Sequence, residues 1–240
     1  TNPDPQAKPH HAISCFIVDR GPGVNVAYQY GLMGCRGGGT GRLVFKDVRV
    51  PKENLLGKPN GALEVFNTMM IPERLGTAAM TIGAARPALE VAGSYSMKRK
   101  AFGQPINRFQ GVSFQVAEAA MLLDACRSLV YTTSLSVDRG ADPNTVRRLV
   151  SETKRFVTES CQKVARNAMQ VMGGIGYTNV FPIERIVRDL GLASIWTGTN
   201  EVMSMIIAHE WYAEHARTGS VRNVEADAPE ALAEGEKIFD

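Results

Sequence analysis

The stretch IWTGTNEVM, from Ile195 to Met203, combines a Gly-Thr-Asn turn with the start of an amphipathic helical pattern. Thr199 or Asn200 can cap this helix, because a short polar side chain accepts a hydrogen bond from an N–H group of the first turn. The remaining free N–H groups can point at a phosphate or another polar ligand group. Many helices begin with Thr-Asn, so this stretch alone predicts a helix start and leaves a ligand site open.

Three further segments precede this turn. RKAFGQP (Arg99 to Pro105) and QVMGGIGY (Gln170 to Tyr177) each follow the end of a long helical pattern, and LVFKDVRVPKENLLG (Leu43 to Gly57) lies upstream of both. RKAFGQP, QVMGGIGY and the Gly-Thr-Asn turn, in that order, resemble the carboxy-terminal half of the acyl-CoA dehydrogenase family, FAD enzymes that desaturate acyl-CoA thioesters. Leu43 to Gly57 resembles the last strands of that family's middle β domain and the exit into its helical domain. The resemblance runs from about residue 12 to about residue 217.

Two long antiparallel helices are indicated by apolar residues that recur at steps of three and four. Gly140-Ala141-Asp142-Pro143 separates them, with Gly just past one helix, Asp as the cap and Pro in the first turn of the next. The two stripes are Val112, Val116, Ala119, Leu123, Cys126, Val130, Thr133 and Val137, and Val146, Val150, Thr153, Val157, Cys161, Val164, Ala168 and Val171.

The predicted fold class is α+β, a partial antiparallel β domain followed by a four-helix up-and-down bundle. Alternation in Ile13 to Val18 and Leu43 to Val50 indicates the strands. A third helix is predicted over about Glu73 to Lys100 and a fourth from Thr199 to Arg217. The predicted domains are a partial middle β domain (1–58), a helical bundle domain (59–217) and an acidic tail (218–240).

The charge distribution and the cysteines limit the classes of ligand and partner that the sequence predicts. The formal net charge is +3, but residues 223–240 hold six acids and one base, which leaves a net +8 on residues 1–222. A basic body suits phosphate-bearing ligands and suits a solvated surface equally well. The four cysteines lack CxxC or His spacing, so no metal site or disulfide framework is predicted. No nucleic-acid or membrane partner is predicted, and we expect a soluble protein of the cytoplasm, or of the mitochondrial matrix if eukaryotic.

The resemblance implies a carboxylate base that removes the α proton of the thioester. In many family members this glutamate immediately precedes the glycine of the Gly-Thr turn, where this chain has Thr197, which is no base at neutral pH. A minority, including the isovaleryl-CoA and long-chain acyl-CoA dehydrogenases, place it near the start of an earlier helix, directly before an arginine. MIPERL, from Met70 to Leu75, matches that place. We therefore predict Glu73 as the catalytic base and an enzyme of this subgroup.

Glu73 also has a structural interpretation. Pro72 favours the first helical position, so Glu73 would lie in the first turn, where the helix dipole favours any carboxylate. Arg74 resembles an arginine beside the base and substrate in relatives, and either tunes the base or pairs with it. Relatives polarise the thioester carbonyl with the backbone N–H at the position of Thr197 and a flavin hydroxyl. The predicted substrate residues are Arg74, Trp196, Thr197 and Gly198.

The FAD contacts are likewise implied by resemblance. Arg99 resembles the arginine that meets the pyrophosphate, which suits a planar, delocalised cation. Gly173 resembles part of the segment that meets the adenosine half, and its alternative role is a helix C-cap. The predicted FAD-binding residues are Arg99, Phe102, Gln110, Gln170, Gly173, Gly174, Thr199 and Glu201.

The relatives also carry an amino-terminal helical domain and the first half of the β domain, which these residues lack. Because the chain begins at Thr1 rather than Met, we expect a fragment that is inactive alone. The implied partners are an acyl-CoA substrate, an electron-transferring flavoprotein and further copies in a homotetramer. Two alternatives stay open, an acyl-CoA oxidase-like flavoenzyme and a non-catalytic assembly subunit.

Overall fold

The computed structural model describes residues 6–8 and 11–218 of the chain. The predicted acidic tail lies outside the described residues, apart from Thr218 at the end of the last helix. The described elements are short antiparallel strands followed by helices, which confirms the α+β class.

The amino-terminal segment contains four strands in two antiparallel pairs. β1 (Cys15–Phe16) pairs with β4 (Leu55–Leu56), and β2 (Val24–Gln29) pairs with β3 (Gly41–Phe45). The strands are shorter than the alternation predicted. β3 ends at Phe45, shortly before Asp47 adopts a φ of 51°, a left-handed conformation that interrupts an extended strand.

Five α-helices follow among the described residues, one more than the four predicted. They are α1 (Ala62–Lys98), α2 (Gln110–Asp138), α3 (Pro143–Met172), α4 (Ile183–Ala193) and α5 (Asn200–Thr218). Between α1 and α2 lies a hairpin of β5 (Lys100–Ala101) and β6 (Gln104–Pro105). Sequence analysis missed α4 because it is short and contains Gly191, whose helix propensity is low.

The start predicted for the third helix was wrong. α1 begins at Ala62, about three turns before Glu73, and both Pro72 and Pro87 lie inside it. An interior proline removes one hydrogen bond and normally kinks or ends a helix, which is why Pro72 suggested a first turn. In this fold α1 continues through it, and Met70 and Arg74 on either side are buried.

The core is built around α3, which contacts the other four helices. All eight residues of its predicted stripe are buried, from Val146 to Val171, and the α2 stripe is buried or half-buried. The predicted junction is also confirmed. Asp142 caps α3 by accepting a hydrogen bond from the Thr145 N–H at 3.1 Å, and Gly140 has a φ of 69°.

The loop between β2 and β3 docks on α4. Asp189 accepts a hydrogen bond from the Cys35 N–H at 2.6 Å, and Arg188 donates to the Met33 carbonyl at 2.7 Å. A Cβ at Gly34 would lie 2.5 Å from the backbone of Arg188, so only glycine permits this approach. The β segment is thereby tied to the helix that leads into the Trp196–Gly198 turn.

Candidate active site

One face of α1 and the chain before α5 line an open cavity of about 420 Å³. Among the described residues, Glu73, on α1, is the one charged residue that lines this cavity, and its side chain is exposed. Because Glu73 lies about three turns inside α1, its placement is not explained by capping or by the helix dipole, whose effect fades within the first turn. The lining residues are Met69, Pro72, Glu73, Gly76, Thr77, Met80 and Trp196.

The turn that joins this cavity to α5 is conformationally strained. Thr197 has a φ of 55°, which is an outlier for a β-branched residue, and Gly198 has a φ of 90°. The φ of Gly198 favours glycine, while a Cβ there would meet only the movable end of the Met203 side chain at 2.9 Å. Thr199 caps α5 by accepting a hydrogen bond from the Val202 N–H at 3.4 Å, which selects Thr199 from the two candidate caps.

Two polar atoms of this turn are buried without a partner. Trp196 Nε1 and Thr197 Oγ1 have no hydrogen-bond partner in the described part of the chain. A buried polar group without a partner costs roughly 1–3 kcal/mol, so such atoms are expected where a ligand supplies the missing bond. Both atoms belong to residues predicted to contact substrate.

Arg74 follows Glu73 in the chain but is directed into the bundle, whereas Glu73 is exposed. Its side chain is buried, and its Nε donates a hydrogen bond to the Thr197 carbonyl at 3.2 Å. Burial and the charge of Arg147 both lower its pKa. Of the two roles left open for Arg74, pairing with Glu73 does not occur among the described ion pairs. Direct contact between Arg74 and substrate stays a prediction.

Lys154 is a residue of this site that sequence analysis missed. It is fully buried, and its Nζ donates hydrogen bonds to the Gly198 carbonyl at 2.9 Å and to Asn200 Oδ1 at 3.0 Å. The position of Lys154 could have been recognised from sequence, because Lys154 follows Val150 by four residues and precedes Val157 by three. That spacing puts a lysine on the buried face of α3.

Burial, followed by the charge of Arg74, lowers the pKa of Lys154 from 10.5 to about 8, while Glu201 and Glu159 act in the opposite direction. Between these two values the unfolded chain binds more protons than the folded chain, so Lys154 makes the free energy of unfolding rise with pH. We expect this rise between pH 8 and 10.5 to be larger in the parent chain than in Lys154→Met. Urea unfolding of both proteins across that window measures the difference, and equal slopes would contradict it.

A second group of predicted residues lies at the other end of the bundle, where α1 ends, α2 begins and α3 ends. Arg99 lines a cavity of about 600 Å³ together with Tyr95 and Phe181. Phe102 is 95% exposed in the β5–β6 turn, and Gln110, the first residue of α2, is exposed. These side chains are therefore accessible to a ligand.

The carboxyl end of α3 completes this second group. Gln170 is exposed, and Gly173 caps α3 with a φ of 63°, so the C-cap role of Gly173 is realised. A Cβ at Gly173 or Gly174 would have no heavy atom within 4 Å, so the backbone there is open to a ligand. Capping and an open backbone are compatible at Gly173.

The two groups are separated along α3. Thr158 contacts Asn200 at the start of α5, whereas Gln170 belongs to the far group, and the 12 intervening steps correspond to about 18 Å of helix. Thr199 and Glu201 lie with the turn, away from the other predicted FAD residues. Hydrogen bonding from Thr199 is the main factor that lowers the pKa of Glu201, so this carboxylate is held charged at the start of α5.

Fold and site together define a mainly helical domain with one carboxylate in the lining of a mostly apolar pocket. A family model described as acyl-CoA dehydrogenase, C-terminal domain, matches residues 61–211. The chain belongs to the acyl-CoA dehydrogenase family, as the sequence motifs predicted. Membership of the long-chain or isovaleryl subgroup stays a prediction.

Individual relatives agree with this assignment. An acyl-CoA dehydrogenase of Bacillus subtilis (strain 168) is 37% identical over 199 residues, which cover 82% of this chain and 52% of the relative. The caffeyl-CoA reductase-Etf complex subunit CarC of Acetobacterium woodii is 34% identical over 206 residues, which cover 84% and 53%. The solved butyryl-CoA dehydrogenase of Megasphaera elsdenii has a TM-score of 0.80 and 33% identity, with 85% and 52% covered. The chain spans about half the length of these relatives.

The described residues also lack two features, a membrane-spanning helix and a cluster of metal-ligating side chains. No helix among them is both long enough and apolar enough to cross a bilayer. Within the same residues, no group of three or more His, Cys, Asp or Glu side chains could hold a metal ion.

Proposed function

We propose that this chain acts within an FAD-dependent acyl-CoA dehydrogenase, which introduces a double bond between the α and β carbons of an acyl-CoA thioester. The observation that carries the proposal is the Glu73 carboxylate, exposed to a mostly apolar cavity beside the Trp196–Gly198 turn. An acyl chain suits apolar walls, and a single carboxylate beside it suits proton removal.

FAD is the cofactor of the proposed reaction, and the residues present fit it. Arg99 offers an exposed guanidinium to a pyrophosphate, and Gly173 and Gly174 offer unobstructed backbone. Trp196 Nε1 and Thr197 Oγ1 are buried donors without a partner. Phe102, Gln110, Gln170, Thr199 and Glu201 complete the proposed set.

The chemistry divides between the cofactor and this chain. When bound, FAD supplies the acceptor that takes the β hydrogen as hydride. Glu73 removes the α proton, since Thr197 cannot act as a base at neutral pH. The backbone N–H of Thr197 has no acceptor among the described residues and polarises the thioester carbonyl in the proposed complex. Arg74, Trp196, Thr197 and Gly198 are proposed to shape the substrate site.

The proposed partners follow from relatives and from exposed apolar side chains. The Acetobacterium relative is named as a subunit of a complex with Etf, which supports an electron-transferring flavoprotein as the acceptor. We also propose a homotetramer. Phe114, Met121, Tyr131 and Leu135 of α2 are each at least half exposed, and such a row of apolar residues is typical of an association surface. A cytoplasmic or mitochondrial matrix location stays a prediction.

The test of this function is flavin reduction by a panel of acyl-CoA thioesters in the complete gene product that contains these residues. We expect bleaching of the flavin absorbance with at least one straight or branched acyl-CoA, and re-oxidation by an electron-transferring flavoprotein. Residues 1–240 alone are expected to bind FAD weakly and to show no turnover, since the relatives are about twice as long.

Two results would redirect this assignment. Oxygen consumption without an added acceptor would favour the acyl-CoA oxidase alternative. Absence of reduction by any acyl-CoA in a protein that retains stoichiometric FAD would favour a non-catalytic assembly subunit.

A further inference from the structure

The Thr197–Gly198 turn is held from inside the bundle by two cations. Arg74 on α1 donates to the Thr197 carbonyl, and Lys154 on α3 donates to the next carbonyl, that of Gly198. Neither cation forms an ion pair with a carboxylate in the part of the chain that the structure describes. Both hydrogen-bond the same short turn instead.

This arrangement is unfavourable for the stability of the bundle. A buried charge costs several kcal/mol unless it is well compensated, and Lys154 is fully buried with Arg74 close enough to repel it. Its two compensating hydrogen bonds go to Gly198 and Asn200. A lysine in such surroundings is explained by what it holds rather than by packing alone.

The turn needs such support because its backbone is strained. A non-glycine residue in the left-handed region costs roughly 1–3 kcal/mol and persists only where its surroundings impose it. Thr197 has a φ of 55°. Three contacts restrain this turn: the bonds from Arg74 and Lys154 to two successive carbonyls, and the bond from the Asn200 N–H to the Ser194 carbonyl at 3.0 Å.

These bonds also determine where the N–H groups of the turn point. The described chain has no cis peptide bond, so each N–H points away from the carbonyl of its own peptide unit. With the Thr197 and Gly198 carbonyls directed at the cations, the N–H groups of Gly198 and Thr199 point away from them. A hydrogen bond to a carbonyl also polarises the N–H of the same unit. None of the N–H groups of residues 197–199 has an acceptor among the described residues.

We propose that Lys154 is a positioning residue. It holds the Gly198 carbonyl and the Asn200 side chain from the bundle interior, and so fixes the backbone of the Thr197–Gly198 turn, whose Thr197 N–H is proposed to meet an electron-rich oxygen of the substrate. The inference rests on the proposed function for the identity of that ligand. Lys154 itself touches no substrate. Its effect on the reaction passes through the turn.

The first experiment measures amide hydrogen exchange in the complete gene product, in a peptide covering residues 195–203. Lys154→Met is expected to raise exchange in this peptide by about tenfold or more, because the turn loses an interior anchor. Lys163→Met is the matched control. Lys163 lies on the same helix, but it is exposed and pairs with Glu118, so this variant is expected to exchange as the parent does.

Two outcomes of this experiment would overturn the proposal. One is equal exchange at 195–203 in Lys154→Met and the parent. The other is an increase spread evenly over α1, α2 and α3, which would mark Lys154 as a general packing residue. If Lys154→Met does not accumulate as folded protein, Lys154→Gln, which removes the charge but keeps a polar side chain, is measured with the same outcomes.

The second experiment separates positioning from binding. We expect Lys154→Met to lower kcat for acyl-CoA by at least about tenfold and to change KM by less than about twofold, since N–H groups aimed at a developing negative charge act mainly in the transition state. A kcat equal to that of Lys163→Met would overturn the role. If the parent protein does not oxidise any acyl-CoA, the proposed function fails, and hydrogen exchange still decides whether Lys154 holds the turn.

Discussion

Replacing Glu73 by Gln in the complete gene product is expected to lower the rate of flavin reduction by about 10²- to 10⁴-fold, the range typical of a lost general base. Glutamine has nearly the same shape, so the cavity of about 420 Å³ is retained and FAD and acyl-CoA should still bind. Stopped-flow flavin reduction at saturating acyl-CoA measures the effect.

The matched control for this prediction is Glu64→Gln. Glu64 lies on the same helix and is exposed, but it is outside the cavity lining, so its loss should leave the rate unchanged. If Glu73→Gln reduces flavin at the parent rate, then Glu73 is not the base. A loss of FAD from Glu73→Gln would instead indicate that the carboxylate is needed for assembly of the site.

Adding Thr197→Glu to the Glu73→Gln variant is expected to recover part of the lost rate. Arg74 joins α1 to the Trp196–Gly198 turn through its hydrogen bond to the Thr197 carbonyl. Trp196, which precedes Thr197, lines the same cavity as Glu73. A carboxylate at 197 should therefore approach the same α carbon from the other side. The left-handed backbone also suits an unbranched side chain better than threonine.

Recovery at position 197 should be incomplete and should depend on acyl length, because a longer side chain there takes space from the cavity. Thr197→Gln in the same Glu73→Gln background is the control, since it adds equal bulk without a base. Equal rates for the Glu and Gln double variants across a series of acyl-CoA lengths would show that position 197 does not reach the α carbon.

Local and periodic features of the helical bundle were predictable from sequence. The α3 stripe from Val146 to Val171 was predicted residue by residue, because a helix that packs on one side repeats every 3.6 residues. Asp142 as the cap of α3 was also predictable, since capping depends on a few adjacent residues. The family followed from short motifs in a fixed order, and the family model confirms it.

Boundaries that depend on distant contacts were not predictable. The start of α1 was placed at Pro72 and Glu73, because local chemistry favours proline in a first turn, whereas α1 begins at Ala62. The helix continues through Pro72, and Met70 and Arg74 on either side of the proline are buried in the bundle. The short helix α4 was missed because its 11 residues, which include Gly191, carry a weak local pattern, while the burial of Ile183 and Leu190 depends on contacts with other helices.

The sequence by itself determined the family, the helix stripes and the α3 cap, since each depends on residue types at short spacing. Glu73 as the base is implied by the family resemblance and stays a prediction. Tertiary structure alone decided that Glu73 lies within a helix and faces a cavity, that Arg74 turns inward to the Thr197 carbonyl, and that Lys154 holds the following carbonyl. Lys154 and Gly198 are 44 residues apart. Contacts at such a separation arise only when helices pack, so no local pattern predicts them.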